Sequence, residues 1–337
     1  MSDKMKNNAK DSAPVKTVTS RNQMSKTAGA SSAATKSGRR MTGPERVFNI
    51  LNMTLMVLMC VVFLYPYVNQ FSISINSAAD TARGGVTIFP RVLSRENYEM
   101  VLGNDMFISA FSISVLRVLA GTLLSLVVTY SAAYAISKRT LPGRNIFVTI
   151  LIIPMFISGG LIPTFILYRE LKLINTFFVY IFPGMFAFYN MIIFRTFLRT
   201  IPESLEESFM LDGANSVQIM LFIYVPLSAP VIACVVLWVA VHHWNDWTST
   251  LLFVQTKKLH TLQFMMYRLL KESEVMMQIA ADRARQGLAI GQDTAPTITP
   301  ESIKAATLMV STLPIVVVYP FLQKYFVKGI MIGAIKE

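Results

Sequence analysis

Six apolar stretches alternate with polar segments along the chain. They cover residues 48–75, 107–137, 146–168, 174–194, 227–254 and 305–323. A hydrocarbon core roughly 30 Å thick is crossed by about 20 helical residues. Backbone amides cannot stay unpaired in lipid, so stretches of this length are expected to be helices. The pattern predicts an all-α, polytopic membrane protein with six transmembrane helices.

The third apolar stretch carries no charge, but it contains four residues that disturb a helix: Pro154, Gly159, Gly160 and Pro163. The backbone groups that these residues leave unpaired cannot be satisfied by lipid, so neighbouring helices or a water-filled cavity must satisfy them. A broken or kinked helix is therefore predicted in the third stretch.

The first 46 residues differ in composition from the rest of the chain. They are rich in Ser, Lys and Ala, contain no aromatic residue, and hold ten basic and three acidic residues, a surplus of seven within the chain's net charge of +12. Such a segment buries too little apolar surface to offset the entropy lost on ordering, so residues 1–46 are predicted to be a disordered tail. Its charge beside an apolar helix favours an anionic lipid surface, and not a nucleic acid, as its partner.

Basic residues in the short loops set the predicted orientation. Lys138, Arg139 and Arg144 follow the second stretch, and Arg195 and Arg199 follow the fourth. Because cytoplasmic loops carry an excess of Lys and Arg, these loops and both termini are expected on the cytoplasmic side of a bacterial inner membrane. Residues 74–106 and 255–304 are then extracellular loops, and the second is predicted to contain a helix near 262–288.

The cytoplasmic stretch 201–216 reads as two helices joined by a turn. Pro202 suits the first helical position, and Gly213 suits the left-handed conformation that ends a helix. Three glutamates favour the positive end of the helix dipole, and Ser216 suits the cap of the next helix.

The first of these short helices has one apolar and one acidic face. Ile201, Leu205 and Phe209 stand four residues apart with Met210 beside them, and the opposite face carries Glu203, Glu206 and Glu207. An apolar face on a surface helix needs a partner. The helix could rest on its own lipid headgroups, but three acids are poorly suited to an anionic leaflet, so a groove in a protein fits better.

The same loop contains a motif with fixed spacings: Glu207, Gly213, Ile223 and Pro226. This pattern resembles the Glu-Ala-Ala loop of the membrane subunits of binding-protein-dependent ABC importers. Ser208 and Phe209 stand in place of the two alanines, and Val225 in place of the leucine. The order of features over residues 44–337 is similar to that of the carbohydrate-importer branch of this family.

The resemblance implies a transmembrane permease domain over residues 47–337 with a MetI-like core, and a loop at 201–226 that couples the chain to an ATPase. The residues expected at that contact are Glu203, Leu205, Glu206, Glu207, Ser208, Phe209, Met210, Asp212, Gly213 and Ala214. It also implies a heterodimer with a second homologous permease, two ATP-binding cassette ATPase subunits and an extracellular solute-binding protein that delivers an oligosaccharide. ATP and Mg²⁺ are expected on the partner ATPase subunits, and neither a cofactor nor a catalytic residue is expected in this chain.

The fifth stretch has an unusual density of aromatic and polar residues at membrane depth. The candidate residues of a substrate pathway are Trp238, His242, Trp244, Asn245 and Trp247. Spacings of four, three and four place Trp238, His242, Asn245 and Ser249 on one helix face. Flat rings with hydrogen-bonding groups suit a sugar, and polar groups in a membrane usually face a cavity. The alternative is that the tryptophans belong to an interfacial belt and that the polar groups bond neighbouring helices.

Other classes of membrane protein fit the sequence less well. The chain has no Gly-x-x-x-x-Gly-Lys-Ser/Thr segment, so ATP hydrolysis must take place on a partner. A secondary transporter needs ion-coupling acids, and Asp246 is the one clear carboxylate in the spans. A membrane enzyme has only His242 near Ser249 as a candidate pair. His242 and His243 are adjacent and point different ways, which disfavours a shared metal site.

Arg117, in the second stretch, has two interpretations: a side chain that extends to the outer membrane interface, which is the more common case, or a side chain that lines a cavity. Within the importer family, a permease for a non-sugar solute remains the alternative to an oligosaccharide permease.

Overall fold

The computed structural model describes residues 43–157, 159–285 and 299–334. Throughout these ranges the regular structure is helical, with one isolated β-bridge between Asn76 and Leu93. The predicted tail lies outside the described residues up to residue 42, and residues 43–46 form the first turn of a helix. The all-α class predicted from the sequence is confirmed.

The first half of the chain forms seven helices in the ranges that the structure describes. They are α1 (Gly43–Ser74), α2 (Ala78–Ala82), α3 (Glu96–Leu102), α4 (Asp105–Ser137), α5 (Arg144–Phe156), α6 (Leu161–Glu170) and α7 (Phe188–Leu198). Two turns of 3₁₀-helix precede α7, at Phe177–Tyr180 and Phe182–Gly184.

The second half contains the short helices of the 201–226 loop and two long helices near the end. The helices are α8 (Glu203–Leu211), α9 (Ser216–Ile219), α10 (Val225–Leu227), α11 (Ala229–Asn245), α12 (Thr248–Phe253), α13 (Leu262–Arg285) and α14 (Pro300–Ala334). A π-helical turn, Met220–Tyr224, joins α9 to α10, and a 3₁₀ turn, Lys257–Leu259, precedes α13.

Within the ranges that the structure describes, three helical segments are long and apolar enough to cross a membrane alone: α1, α4 and the Pro300–Pro320 part of α14. Three pairs of shorter helices, each bent at a break, meet the same criteria when each pair is taken together. The bend is 116° between α5 and α6, 47° between the 3₁₀ turns and α7, and 84° between Ser216–Leu227 and α11. Counting each bent pair as one crossing gives six spans, the number that the hydrophobic pattern predicts.

The bends confirm one feature predicted from the apolar stretches and correct two others. The predicted break in the third stretch is confirmed, because α5 ends at Phe156 and α6 begins at Leu161. The fourth stretch begins as 3₁₀ turns around Pro183 and not as a regular helix. The prediction of one fifth span to residue 254 is wrong, because α11 ends at Asn245.

Contacts along the chain divide it into two compact units, Met1–Met59 and Cys60–Glu337. The described part of the first unit is the start of α1, whose apolar side chains are exposed. In the second unit α4 is central and packs against α7, α11 and α13, while α14 packs against α3, α11 and α13.

Two buried clusters of the second unit hold the long helices together. The first joins α4, α7, α9 and α11 through Tyr130, Phe194, Ile219 and Val235. Tyr130 and Phe194 meet edge to face, with ring centroids 5.2 Å apart. The second joins α3, α4, α11, α13 and α14, and its buried members are Val101, Phe107, Trp244, Leu262 and Ala306. Together these clusters fix α11 against α4 along its length.

The loop between α1 and α4 is organised around Asn76, whose side chain is fully buried. Its amide donates hydrogen bonds to Asp80 Oδ2 at 3.0 Å and Thr81 Oγ1 at 2.9 Å. Its oxygen accepts the backbone N–H groups of Arg91 and Val92, each at 2.9 Å. The hydrogen bond from Asn76 and the neighbouring Arg91 side chain lower the pKa of Asp80. The loop is thus folded on one buried amide.

Candidate functional site

The stretch 201–216 forms two helices joined by a turn, as predicted, with small shifts at their ends. Pro202 precedes α8 as its N-cap and is not the first helical residue. Gly213 has a φ of +83°, the left-handed conformation expected of it. Asn215, and not Ser216, caps α9: its Oδ1 accepts Gln218 N–H at 2.9 Å, and the Gln218 side chain accepts Asn215 N–H at 2.9 Å. Gln218 stands three residues after Asn215 and closes a reciprocal capping box, whereas Ile219 stands three residues after Ser216 and has no polar side chain to do so.

The acidic face of α8 is turned toward the chain's own cations. Glu206 is only 12% exposed, forms an ion pair with Lys138 and accepts a hydrogen bond from Tyr224 Oη at 2.7 Å. Glu203 pairs with Arg139 at 2.9 Å. Both cations directly follow α4, so electrostatic attraction holds α8 against the end of that span. Glu206 therefore contacts its own chain, although the sequence places it with Glu203 and Glu207 on the face opposite the apolar one.

The apolar side chains of α8 are exposed in this chain. Leu205, Phe209, Met210 and Leu211 are exposed, whereas Ile201 lies before the helix and is buried in the core cluster of α4 and α7. Ile201 is thus a core residue and not part of the predicted apolar face, because the chain reaches α8 from the buried end of α7.

The remaining residues of the candidate coupling loop lie in α8 or directly after it. Glu207, Ser208, Asp212 and Gly213 are exposed, and Ala214 is half-buried against the first core cluster. Two backbone bonds close the end of α8, from Gly213 N–H to Met210 O at 3.1 Å and from Ala214 N–H to Phe209 O at 3.0 Å. The loop is thus a closed turn and not an extended linker.

A pocket of about 560 Å³ lies at the other end of α11, and four of the five candidate pathway residues line it: Trp238, His242, Asn245 and Trp247. Trp244 points the opposite way. It is buried between α4 and α14, and its Nε1–H donates to Ser311 O at 3.2 Å. Trp244 is therefore a packing residue and not a pathway residue, as its position on the other side of the helix requires.

The break after α11 shapes this pocket. Asp246 Oδ1 accepts the Ser249 N–H at 3.1 Å and the Thr248 hydroxyl at 2.7 Å, so a side chain starts a new helical turn at α12. The predicted face that included Ser249 is wrong, because Ser249 lies on the far side of this break. The turn brings Trp247 back toward the pocket, where its ring stacks on Tyr267 of α13 at 4.1 Å between centroids.

Arg117 and Asp246 form a largely buried ion pair at the wall of the pocket, which Asp246 lines. The Arg117 side chain is 2% exposed, its guanidinium pairs with the Asp246 carboxylate, and it donates a second hydrogen bond to Asp246 O at 2.8 Å. The guanidinium also lies 4.6 Å from the centre of the Tyr180 ring. The interpretation of Arg117 as a side chain that reaches the interface is wrong, because an acidic partner at the same depth neutralises it.

The fold and the loop agree with the comparisons with known proteins. Residues 121–332 match the family described as "Binding-protein-dependent transport system inner membrane component". The chain belongs to this family. The permease is therefore a transport subunit of the inner membrane that crosses the bilayer several times, and its MetI-like core is confirmed.

The permease aligns with two relatives from Bacillus subtilis (strain 168) over nearly all of their length. The permease is 32% identical to Protein LplC over 88% of its own chain and 97% of that protein. It is 28% identical to the polygalacturonan/rhamnogalacturonan transport system permease protein YtcP over 87% of its own chain and 99% of that protein.

A solved structure extends the likeness to three dimensions. One chain in the crystal structure of a bacterial ABC transporter involved in the import of the acidic polysaccharide alginate has a TM-score of 0.74 and 27% identity to the permease. The alignment covers 85% of the permease and 99% of that chain.

One close packing contact of the permease was missed from its sequence. His243 is buried between α4 and α11 beside Gly121, and a Cβ atom at Gly121 would lie 2.6 Å from His243 Nε2. Only glycine leaves room for the ring at this crossing. A glycine within an apolar helical stretch was the available signal, but it does not say which side chain fills the space.

Proposed function

We propose that the permease translocates an oligosaccharide or polysaccharide fragment in an ATP-driven importer. It acts with a second homologous permease, two ATP-binding cassette ATPase subunits and an extracellular solute-binding protein. The observation that carries this proposal is the surface of α8, where Leu205, Phe209 and Leu211 are exposed on a helix two of whose three glutamates are paired with cations of the chain itself. Such a surface suits a groove in a partner ATPase, since the chain has no phosphate-binding loop of its own.

The orientation follows from the same proposal. Residues 201–226 face the cytosol with both termini, and the loops at 74–106 and 255–304 face outward, where a solute-binding protein can dock. The basic residues that flank α4, α5 and α7 support this orientation.

A carbohydrate substrate is supported by the chemistry of the pocket and by the relatives. Trp238 and Trp247 offer flat apolar rings, while His242 and Asn245 offer hydrogen-bonding groups. The relative YtcP is named as a permease of a polygalacturonan/rhamnogalacturonan transport system. The pocket of this chain is the proposed contact with a sugar during translocation.

The proposal is tested by purification and reconstitution of the complex. The tagged permease is extracted in detergent, the proteins that copurify with it are identified, and the complex is placed in liposomes with ATP and its solute-binding protein. We expect copurification of an ATPase and a second permease, and ATP-dependent uptake of acidic or neutral oligosaccharides. Uptake driven by an ion gradient without ATP would contradict the proposal, and ATP-driven uptake of a non-sugar solute would contradict its carbohydrate part.

Replacement of Trp238 or Asn245 by Ala should lower the maximal uptake rate by about tenfold, because loss of a ring or of hydrogen bonds on the pathway costs about 1.4 kcal/mol. The rate is measured at saturating loaded binding protein, so that capture does not limit it. Trp244→Phe is the matched control, since it changes a buried tryptophan outside the pocket, and its uptake should stay near that of the unmodified permease. Equal rates for all three variants would exclude a pathway through this pocket.

A further inference from the structure

Glu206 is the point at which three elements of the permease meet. Its carboxylate forms an ion pair with Lys138, the residue directly after α4, and accepts the hydroxyl of Tyr224 at 2.7 Å. Tyr224 is the last residue of the π-helical turn that leads through α10 into α11. One side chain of α8 therefore reaches both a span before the loop and the span after it.

Aromatic rings enclose the cation of this cluster. The Lys138 ammonium lies 4.1 Å from the centre of the Tyr134 ring and 4.6 Å from the centre of the Tyr224 ring. The two rings meet edge to face, with centroids 5.1 Å apart. Cation–π attraction thus adds to the ion pair, and both contributions hold Lys138 in one place.

The cluster is shielded, unlike its neighbour. The side chains of Lys138 and Glu206 are 21% and 12% exposed, whereas those of Arg139 and Glu203 are 76% and 62% exposed. Salt screens an exposed pair strongly and a partly buried pair much less. The shielded pair, Lys138 with Glu206, is therefore the one able to transmit a movement between helices. The exposed pair, Arg139 with Glu203, provides a matched control.

The helices that the cluster joins are themselves one body. α4 and α11 pack along each other, and the Arg117–Asp246 ion pair links α4 to the residue directly after α11 near the pocket. A displacement of α8 that is passed to Lys138 and Tyr224 thus acts on both spans together. Rigid-body movement of packed helices is a known form of conformational switching.

We propose that Lys138, Glu206 and Tyr224 form a latch that makes α8 move as one unit with α4 and α11. They are positioning residues, which act on transport through α8 and touch neither substrate nor nucleotide. The inference rests on the proposed function of the loop and identifies the groups inside this chain that pass its movement on. Without the latch, α8 can shift under the partner ATPase while the two spans stay in place.

The latch is tested with a charge exchange in the complete reconstituted complex. The variants are Lys138→Glu, Glu206→Lys and the two combined, with Arg139→Glu as the control for the exposed pair. The measured quantity is solute taken up per ATP hydrolysed, with total ATP hydrolysis recorded alongside. Each single exchange should lower this ratio by about tenfold while hydrolysis continues. The combined exchange should raise it again by about threefold above either single exchange, since opposite charges again face each other while the cation–π contacts at position 138 are not re-formed.

The outcomes separate the latch from the function on which it rests. Arg139→Glu should leave the ratio within about twofold of the unmodified permease, because exposed pairs contribute little. If the single exchanges prevent assembly, Glu206→Gln is measured instead, since it keeps the shape of the side chain and removes its charge. An unchanged ratio of uptake to ATP hydrolysis in that variant overturns the latch. Single exchanges with normal ratios overturn it as well. Failure of the unmodified complex to couple uptake to ATP would instead contradict the proposed function.

Discussion

Replacement of Arg117 by Met should strongly destabilise the permease. The substitution leaves Asp246 buried without its partner, and breaking a buried ion pair from one side costs about 3–5 kcal/mol of unfolding free energy. The measurement is the thermal or denaturant midpoint of the purified complex in detergent. The expected result is a large fall in that midpoint and in the yield of assembled complex.

Two further variants test the cause of this effect. Combining Arg117→Met with Asp246→Asn removes both charges, so much of the lost stability should return. Arg91→Met breaks a pair with Asp80 in the ordered loop, where the arginine side chain is 46% exposed, and should cost no more than about 1 kcal/mol. A midpoint for Arg117→Met equal to that of the unmodified permease would show that the pair does not stabilise the fold.

Replacement of Gly213 by Val should abolish coupled uptake with little loss of stability. A β-branched residue in the left-handed conformation costs about 1–2 kcal/mol, which the turn can avoid by changing its shape and moving α8 relative to α9. The measurement is ATP-driven uptake together with the thermal midpoint. We expect uptake to fall by about tenfold or more and the midpoint to change little, because Gly213 is exposed.

Gly143 provides the matched control for this change. Its φ is +68°, and it lies before α5 on the same predicted side of the membrane, outside the 201–226 loop. Gly143→Val introduces the same backbone strain, so it should affect stability to a similar degree and leave uptake much closer to normal. Equal loss of uptake in both variants would mean that strain in general, and not the shape of the coupling turn, is responsible.

The features that the sequence predicted are those that depend on neighbouring residues. The break between α5 and α6 follows from prolines and glycines at known positions, and the left-handed Gly213 follows from the end of a short helix. The helix predicted near 262–288 is present as α13, which begins at Leu262 and is described to Arg285. Each is a local consequence of backbone chemistry.

The features that were missed depend on residues far apart in the chain. Arg117 and Asp246 are separated by 129 positions, and no periodic pattern links them. The direction of Trp244 depends on which neighbours surround α11, and the inward turn of Glu206 depends on cations that follow α4. An acidic and a basic residue in two apolar spans are a usable signal for such an ion pair, since an unpaired charged side chain is rare in a span.

The loop folded around Asn76 has a consequence for encounter with other proteins. A surface that is already ordered loses little conformational entropy on contact, so association there proceeds by rigid-body collision without a folding step. The rate of such an encounter is governed by diffusion and by long-range charge, and it should respond to ionic strength. A protein that binds the ordered loop between α1 and α4 should therefore do so without a folding step.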